Sequence, residues 1–543
     1  MTRAGARLGS VALSLAALTL AARVLGFGRS LVFSKTVGDT CLGDTYNAAN
    51  SLPNIVFEIV AGGVLAGVVV PVVARHVAAG RQQQTSQTVS ALVTWTLLAL
   101  TPAALLAMVG APLYARIFAS PACAGSADTL AALLVVFAPQ VWLYGLAVVS
   151  AGVLQAHSRF LAAALAPLLS SILVMAAYLG FAALASPDSR NDLAQLSGPA
   201  TAVLGWGTTL GVLALALGTL LPLGRLGLRI RPRLHFPGDD RRVLLRIGAA
   251  GLAGLVLQQL SVLLINWAAQ RSGDAGALTR FTWANALYLL PYAVLVTPLL
   301  QVVFPRLSVA AGEEAATPGA GVPAVQRVLA DTAPAVVALA WLGGALLAAT
   351  AVPVARVFVL GPGSGRTGAL AAPIAAFAPA VVGFAMLGLA SRALLAQHRA
   401  RDAGLATGLG WGTVILAVAL LRLVVPAPTL VPAMAGSVSL GMVVGAVVGW
   451  WALSRAGVRV RLTRPLLAGL TAAAVAVVVC WWPASRLADQ GLVVALLGGT
   501  GVALLCALTY LVVLAALDRP ALTELRALRR GSGAARGEQH ADR

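Results

Sequence analysis

Lysine is almost missing from this chain: Lys35 is the only one in 543 residues. Acidic residues are also scarce, 18 against 38 lysines and arginines, and charged residues of both signs make up only 10% of the sequence. A soluble domain carries about 25%, so an ordinary water-soluble globule is excluded. The four cysteines and five histidines form no cluster with metal-ligand spacing, so no metal is expected. No GxxxxGK[ST] string occurs, which removes the phosphate-cradling loop of a nucleotide-driven machine. The net charge of +20 is spread over short turns. It lacks the clustered basic patch and aromatic platforms of nucleic-acid binders, so nucleic acid is rejected as a partner. Anionic lipid headgroups are the ordinary partner of such turns.

What the chain has is apolar length: 59% hydrophobic residues and a mean hydropathy of +0.89. Runs of about 20 apolar residues, enough to cross a bilayer, recur from end to end. The pattern predicts an all-α polytopic membrane protein with about fourteen spans. They lie near 8–33, 48–74, 88–114, 128–153, 160–183, 200–223, 244–270, 281–305, 328–350, 370–396, 403–425, 430–454, 465–483 and 490–517. With the N-terminus inside, alternate loops and the tail hold 27 of the 38 basic residues and the opposite loops nine. That bias puts both termini in the cytoplasm. Arg3 and Arg7 before an apolar run resemble a signal peptide. The run continues through Arg23 to Phe33, so a retained first span is expected.

The two basic residues outside that tally are Arg23 and Arg29, both within the first span. A charge at mid-bilayer costs at least about 2.5–3.5 kcal/mol, so the pair is expected to face a wet cavity or an anionic ligand. Glu58 is the one acidic residue placed well within a span. It reads either as a salt-bridge partner of Arg23 or Arg29 or as a proton- or cation-coupling site. No carboxylate cluster stands at an extracytoplasmic membrane face to serve a glycosyltransferase as base or metal ligand. The chain therefore reads as a non-enzyme without cofactors. His76, His157 and His398 fall at cytoplasmic span ends and read as interfacial. Cys480 and Cys506 fall within spans as packing residues. Cys41 and Cys123 fall in extracytoplasmic loops, where disulfides can persist; they are expected near one another, and the sequence leaves open whether they are bridged.

The chain repeats itself at about 240 residues. FAPQVWLYGLAVVSAGVLQAHSRF at 137–160 aligns without gaps with FAPAVVGFAMLGLASRALLAQHRA at 377–400. APLYARIF at 111–118 matches VPVARVFV at 352–359, and Pro53 and Pro71 answer Pro291 and Pro305. Each unit holds six spans, an even number, so the repeat is parallel, and in transporters of this kind the substrate site lies between the halves. The expected organisation is a six-helix lobe at 1–223, a basic cytoplasmic linker at 224–246, a second six-helix lobe at 247–454, two additional helices at 455–518 and a cytoplasmic tail at 519–543. Spans one, two, seven and eight are expected to line the cavity. Prolines inside spans two, four, eight and ten, and the Gly62-Gly63 pair, mark expected kinks or hinges.

The strings ARVLGFGRSLVFSKTVG, DTYNAANSLPNIVFEIVAGGVLAGVVVPVVAR, GVLQAHSRFLAAALAP and ANALYLLPYAVLVTPLLQVVFPRLS resemble the MurJ/MviN family of lipid II flippases over roughly residues 8–515. That family belongs to the multidrug/oligosaccharidyl-lipid/polysaccharide exporter superfamily, and the details look closest to actinobacterial members. The resemblance implies a two-lobed fold with a central cationic cavity. It also implies a substrate, undecaprenyl-pyrophosphate-linked disaccharide pentapeptide, moved from inner to outer leaflet of the plasma membrane. Cell-wall synthesis proteins are possible neighbours in that setting. Arg23, Arg29 and Asp44 match family positions. The family arginine after LPN is Phe57 here, followed by Glu58, and the span-eight arginine falls at Ala286, after Asn285. Half the usual cationic set is therefore absent, and Arg280 is the candidate substitute. The candidate substrate-binding residues are Arg23, Arg29, Asp44, Asn54, Glu58, Arg280 and Asn285. The alternatives are export of another polyprenyl-linked saccharide and a non-transporting cell-wall scaffold.

Overall fold

The computed structural model describes residues 21–22, 24–59, 66–237, 240–316 and 321–518. Arg23, Gly62, Gly63, most of the first expected span and the tail lie outside those residues. The described chain is helical throughout, and eleven of its helices are long and apolar enough to cross a membrane. They match eleven of the fourteen spans read from sequence. The second span is represented by helices Cys41–Glu58 and Ala66–Ala78, and the seventh by Asp240–Gln270.

Large apolar side chains point outward along these helices. Leu106, Leu221, Leu423 and Val478 are each at least 71% exposed, as a lipid-facing surface requires. Buried positions go instead to small residues. Without a hydrophobic force between helices in lipid, close van der Waals packing decides association. Helices Phe160–Leu184 and Gly198–Leu223 show this: a Cβ at Gly207 would lie 2.3 Å from that of Ala177. The chain is a multi-pass membrane protein built on this packing.

Contacts divide the chain into two compact units, residues 1–279 with 360–365, and residues 280–359 with 366–543. In the first, Val69, Val73, Val89, Leu92, Val149, Val153 and Leu223 form a core cluster. In the second, an alanine-rich seam joins helix Gly321–Ala349 to helices Thr463–Ser485 and Leu492–Leu517. The Tyr510 hydroxyl donates to the Ala338 carbonyl there at 2.7 Å. Cys480 and Cys506 are buried and free within that seam, as packing residues should be.

The internal repeat is legible in local geometry at one offset of 240. Helix Phe160–Leu184 corresponds to Ala400–Val424. The turns before them carry the two positive-φ residues other than glycine, Ser158 at 58° and His398 at 59°. Short helices Ala111–Phe118 and Ala351–Val359 also correspond. Interruptions appear at the expected prolines of spans four, eight and ten, whereas Pro53 of span two lies within the continuous helix Cys41–Glu58. Helices end at Phe137 and Ala376 and restart at Gln140 and Ala378 around Pro139 and Pro379. After Pro291 the chain forms a π-helical turn at Tyr292–Val296, the wide turn that recurs at functional sites.

Candidate functional site

Helix Cys41–Glu58 presents a polar stripe. Asp44, Asn47, Ser51, Asn54 and Glu58 follow one another at alternating spacings of three and four, so they share one face. The upper part of the stripe is tied down within the first unit. The Asp44 carboxylate accepts from the backbone N–H of Gly276 at 2.9 Å, the N–H of Thr279 at 2.8 Å and the Thr279 hydroxyl at 2.8 Å. Helix Ala277–Pro291 starts at this point. Asp44 therefore satisfies N–H groups that a helix start leaves unpaired, and its charge suits the positive end of the helix dipole. Asn47 donates to Thr279 Oγ1 at 3.1 Å, Asn266 donates to Ser51 Oγ at 2.7 Å, and Gln270 donates to the Asp44 carbonyl at 3.2 Å.

The surrounding backbone is locked closely. Gly276 has φ +83°, and a Cβ there would lie 2.3 Å from the Asp39 carbonyl oxygen, so only glycine fits. Asp39 accepts from the Ser364 hydroxyl at 2.5 Å and the Ser364 N–H at 3.2 Å. Cys41 and Cys123 are joined in a disulfide with Cα atoms 5.7 Å apart, which resolves the question the sequence left open.

Farther along the stripe the character changes. Asn54 is half-buried and Glu58 exposed. Phe57 packs its ring 4.7 Å from that of Tyr144. Arg29, on helix 24–36, is exposed. Tyr46 is held by Tyr178 and Thr208, each at 3.0 Å. Phe33 packs its ring 5.3 Å and 5.1 Å from those of Tyr46 and Tyr178, tilted and edge-on.

The expected pairing of Glu58 with Arg23 or Arg29 is tested by the structure only for Arg29. Among the described residues Glu58 and Arg29 form no ion pair with each other or with any other group. Glu58 is exposed on the helix surface. The Arg23 alternative lies outside the described residues. Arg29 thus keeps its donors uncommitted to a carboxylate, as a cation meant for an anionic ligand would.

Arg280 and Asn285 belong to the second unit, on helix Ala277–Pro291. Arg280 is 1% exposed, which is not how an ordinary loop arginine sits. Asn285 is half-buried and Ala286 exposed. The same helix is anchored by Phe281 and Tyr288 against Phe377, with ring centroids 5.6 and 4.8 Å apart. The sequence reading missed Asn47, Ser51, Asn266, Gln270 and Thr279, although the three-and-four spacing from Asp44 to Glu58 was a signal for the first two. It also missed the buried hydroxyl cluster of Tyr46, Tyr178 and Thr208.

A family profile described as lipid II flippase MurJ matches residues 33–499. Curated relatives include a probable lipid II flippase MurJ of Rhizobium tropici, 29% identical over 334 residues, covering 60% of each chain. Another, of Rhizobium meliloti (strain 1021), is 29% identical over 304 residues and 53% of each chain. The chain thus spans somewhat over half the length of the curated relatives it matches. Among solved structures, a lipid II flippase MurJ in an inward closed conformation superposes with a TM-score of 0.70 at 15% identity, covering 94% of this chain and 100% of that one. An inward-facing multidrug resistance MATE family transporter of the MOP superfamily gives 0.61 at 14% identity, covering 80% and 94%. At those identities the structures speak to the fold alone.

Proposed function

Because the chain belongs to the lipid II flippase MurJ family, we propose that it carries lipid II, a polyprenyl-pyrophosphate-linked peptidoglycan precursor, from the inner to the outer leaflet. It does so by alternating access between two six-helix lobes, residues 1–223 and 247–454. The observation that carries this reading is Arg29: a cation within an apolar span that forms no ion pair among the described residues. A guanidinium fork matches phosphate oxygens bidentately, and charge-assisted bonds to it are about twice as strong as neutral ones. Arg23, six residues earlier in the sequence, is the second cation of the set.

The remaining candidates take graded roles. Asp44 fixes the start of helix Ala277–Pro291, Asn54 and Glu58 extend the polar face, and Arg280 and Asn285 supply polarity from the next span. A pyrophosphate bears about two negative charges, and an inside-negative potential favours outward movement by about 2.3 kcal/mol per charge per 100 mV. Both termini lie in the cytoplasm and the protein sits in the plasma membrane. Two independent features support that orientation: the basic-loop bias and the Cys41–Cys123 disulfide, which then faces the oxidising side. Cell-wall synthesis proteins are the expected neighbours.

The test is depletion of the protein in its own host, followed by a leaflet-selective assay for lipid II. Accumulation in the inner leaflet supports the proposal. Unchanged distribution, with the cell-wall defect still present, would favour the scaffold reading.

A further inference from the structure

Within the first unit, the segment after helix Gly198–Leu223 runs back along helix Gln82–Val109 in an extended conformation. Its backbone is pinned to that helix. The N–H of Arg231 donates to Ser90 Oγ at 3.1 Å, the N–H of Arg233 to Thr94 Oγ1 at 3.0 Å, and Trp95 Nε1 donates to the Leu234 carbonyl at 2.8 Å. Leu228 and Phe236, at either end, pack against the Val69–Val89–Leu223 core cluster. The strand is thus held at both ends and in the middle.

An extended chain sends successive side chains to opposite sides. Here Arg229, Arg231 and Arg233 fall at alternate positions, with Pro232 joining them in the lining while Ile230 stays out of it. Arg229, Arg231 and Arg233, with Gln82, Gln83 and Gln87 from the facing helix, line a cavity of about 600 Å³. No carboxylate lines it, and no described residue forms an ion pair with Arg229 or Arg231. The intervening Ile230 and Leu234 are exposed, at 41% and 54%, as is neighbouring Trp95 at 48%. A topological anchor needs only positive charge near the membrane. It does not need three arginines held in register around a cavity, with apolar side chains presented beside them.

We propose that this cavity binds the phosphodiester headgroup of an anionic phospholipid, with its acyl chains against Ile230, Leu234 and Trp95. The arginines supply charge-assisted donors, the glutamines supply further donors, and the exposed apolar residues select a lipid over a free anion. This goes beyond the flipping activity and does not depend on it.

The test uses the full-length purified protein in detergent, with phospholipid binding read by native mass spectrometry and no lipid II present. Phosphatidylglycerol should bind in preference to phosphatidylcholine. A basic side chain at an anionic surface is worth about fivefold in affinity, so Arg229→Gln/Arg231→Gln/Arg233→Gln should lose roughly 100-fold. Arg225→Gln, on the same linker but outside the cavity lining, should stay within about twofold of wild type, since surface charge away from the contact contributes little. If the triple variant does not fold, Arg231→Gln alone should lose about fivefold, because its backbone bond to Ser90 is retained. Wild-type affinity in the triple or single variant, equal binding of phosphatidylcholine, or full displacement of phosphatidylglycerol by millimolar inorganic phosphate would each overturn the assignment. The last result would mark a free-phosphate site instead.

Discussion

Replacing Asp44 separates a helix-capping role from a substrate-contacting one. Asp44 is 2% exposed, and its two oxygens accept from Gly276 N–H, Thr279 N–H and the Thr279 hydroxyl at 2.8–2.9 Å. Alanine removes all three bonds. The Thr279 hydroxyl can still accept from Asn47, so the main loss is at the two backbone donors, which stay buried at the helix start. Unsatisfied buried donors cost about 1–3 kcal/mol each, which gives about 3–5 kcal/mol for Asp44→Ala with modest relaxation. Asparagine keeps one oxygen for Thr279 but sets an amide against the Gly276 N–H, so Asp44→Asn should lose about 1–3 kcal/mol. Thermal and denaturant unfolding in detergent, followed by tryptophan fluorescence, should rank the variants wild type, then Asn, then Ala. An alanine variant that unfolds within about 0.5 kcal/mol of wild type, the range of a neutral surface change, would refute the capping argument. If that variant were also inactive, Asp44 would belong to the substrate.

Three further outcomes are expected. Reducing the Cys41–Cys123 bond, which closes a loop of 82 residues, should lower the unfolding midpoint; chain entropy sets a ceiling of about 4–5 kcal/mol, and alkylation of both thiols in the native, unreduced protein would contradict the bond. Glu58→Gln should leave stability within about 0.5 kcal/mol, since Glu58 has no ion pair to lose among the described residues; a drop of several kcal/mol would reveal a buried partner. Tyr178→Phe removes the hydroxyl bonded to Tyr46 and should cost about 1 kcal/mol, read as a lower unfolding midpoint; an unchanged midpoint would show that the bond contributes nothing to stability.

The membrane class, the span positions and the 240-residue repeat were legible because each is written in one dimension. Apolar length, loop charge and shared FAP and proline strings need no knowledge of contacts. The repeat even carries its turn geometry, in Ser158 and His398. The site was legible only where a residue breaks a local rule. Arg29 stands out as a charge in an apolar run, and Asp44 as an acid opening a span. The role of Asp44 was not legible, because its partners Gly276 and Thr279 lie more than 200 residues away and offer backbone groups, which every residue has. Of the two partners expected for Glu58, Arg29 forms no ion pair with it among the described residues, and Arg23 lies outside them; opposite charges in neighbouring spans do not by themselves show that the side chains meet. The linker arginines read as topological charge until the backbone bonds to Ser90 and Thr94 fixed their register.

In the proposed account Arg29, with Arg23 six residues before it in the sequence, holds the pyrophosphate of lipid II. The most direct measurement is leaflet-resolved lipid II in cells depleted of the native protein and rescued with Arg29 variants matched for membrane abundance. Wild type should restore outer-leaflet lipid II. Arg29→Ala, alone or with Arg23→Ala, should leave it in the inner leaflet. Arg29→Lys should recover only part of the activity, because the charge remains but the bidentate fork is lost. Full outer-leaflet delivery by the double alanine variant would contradict the account.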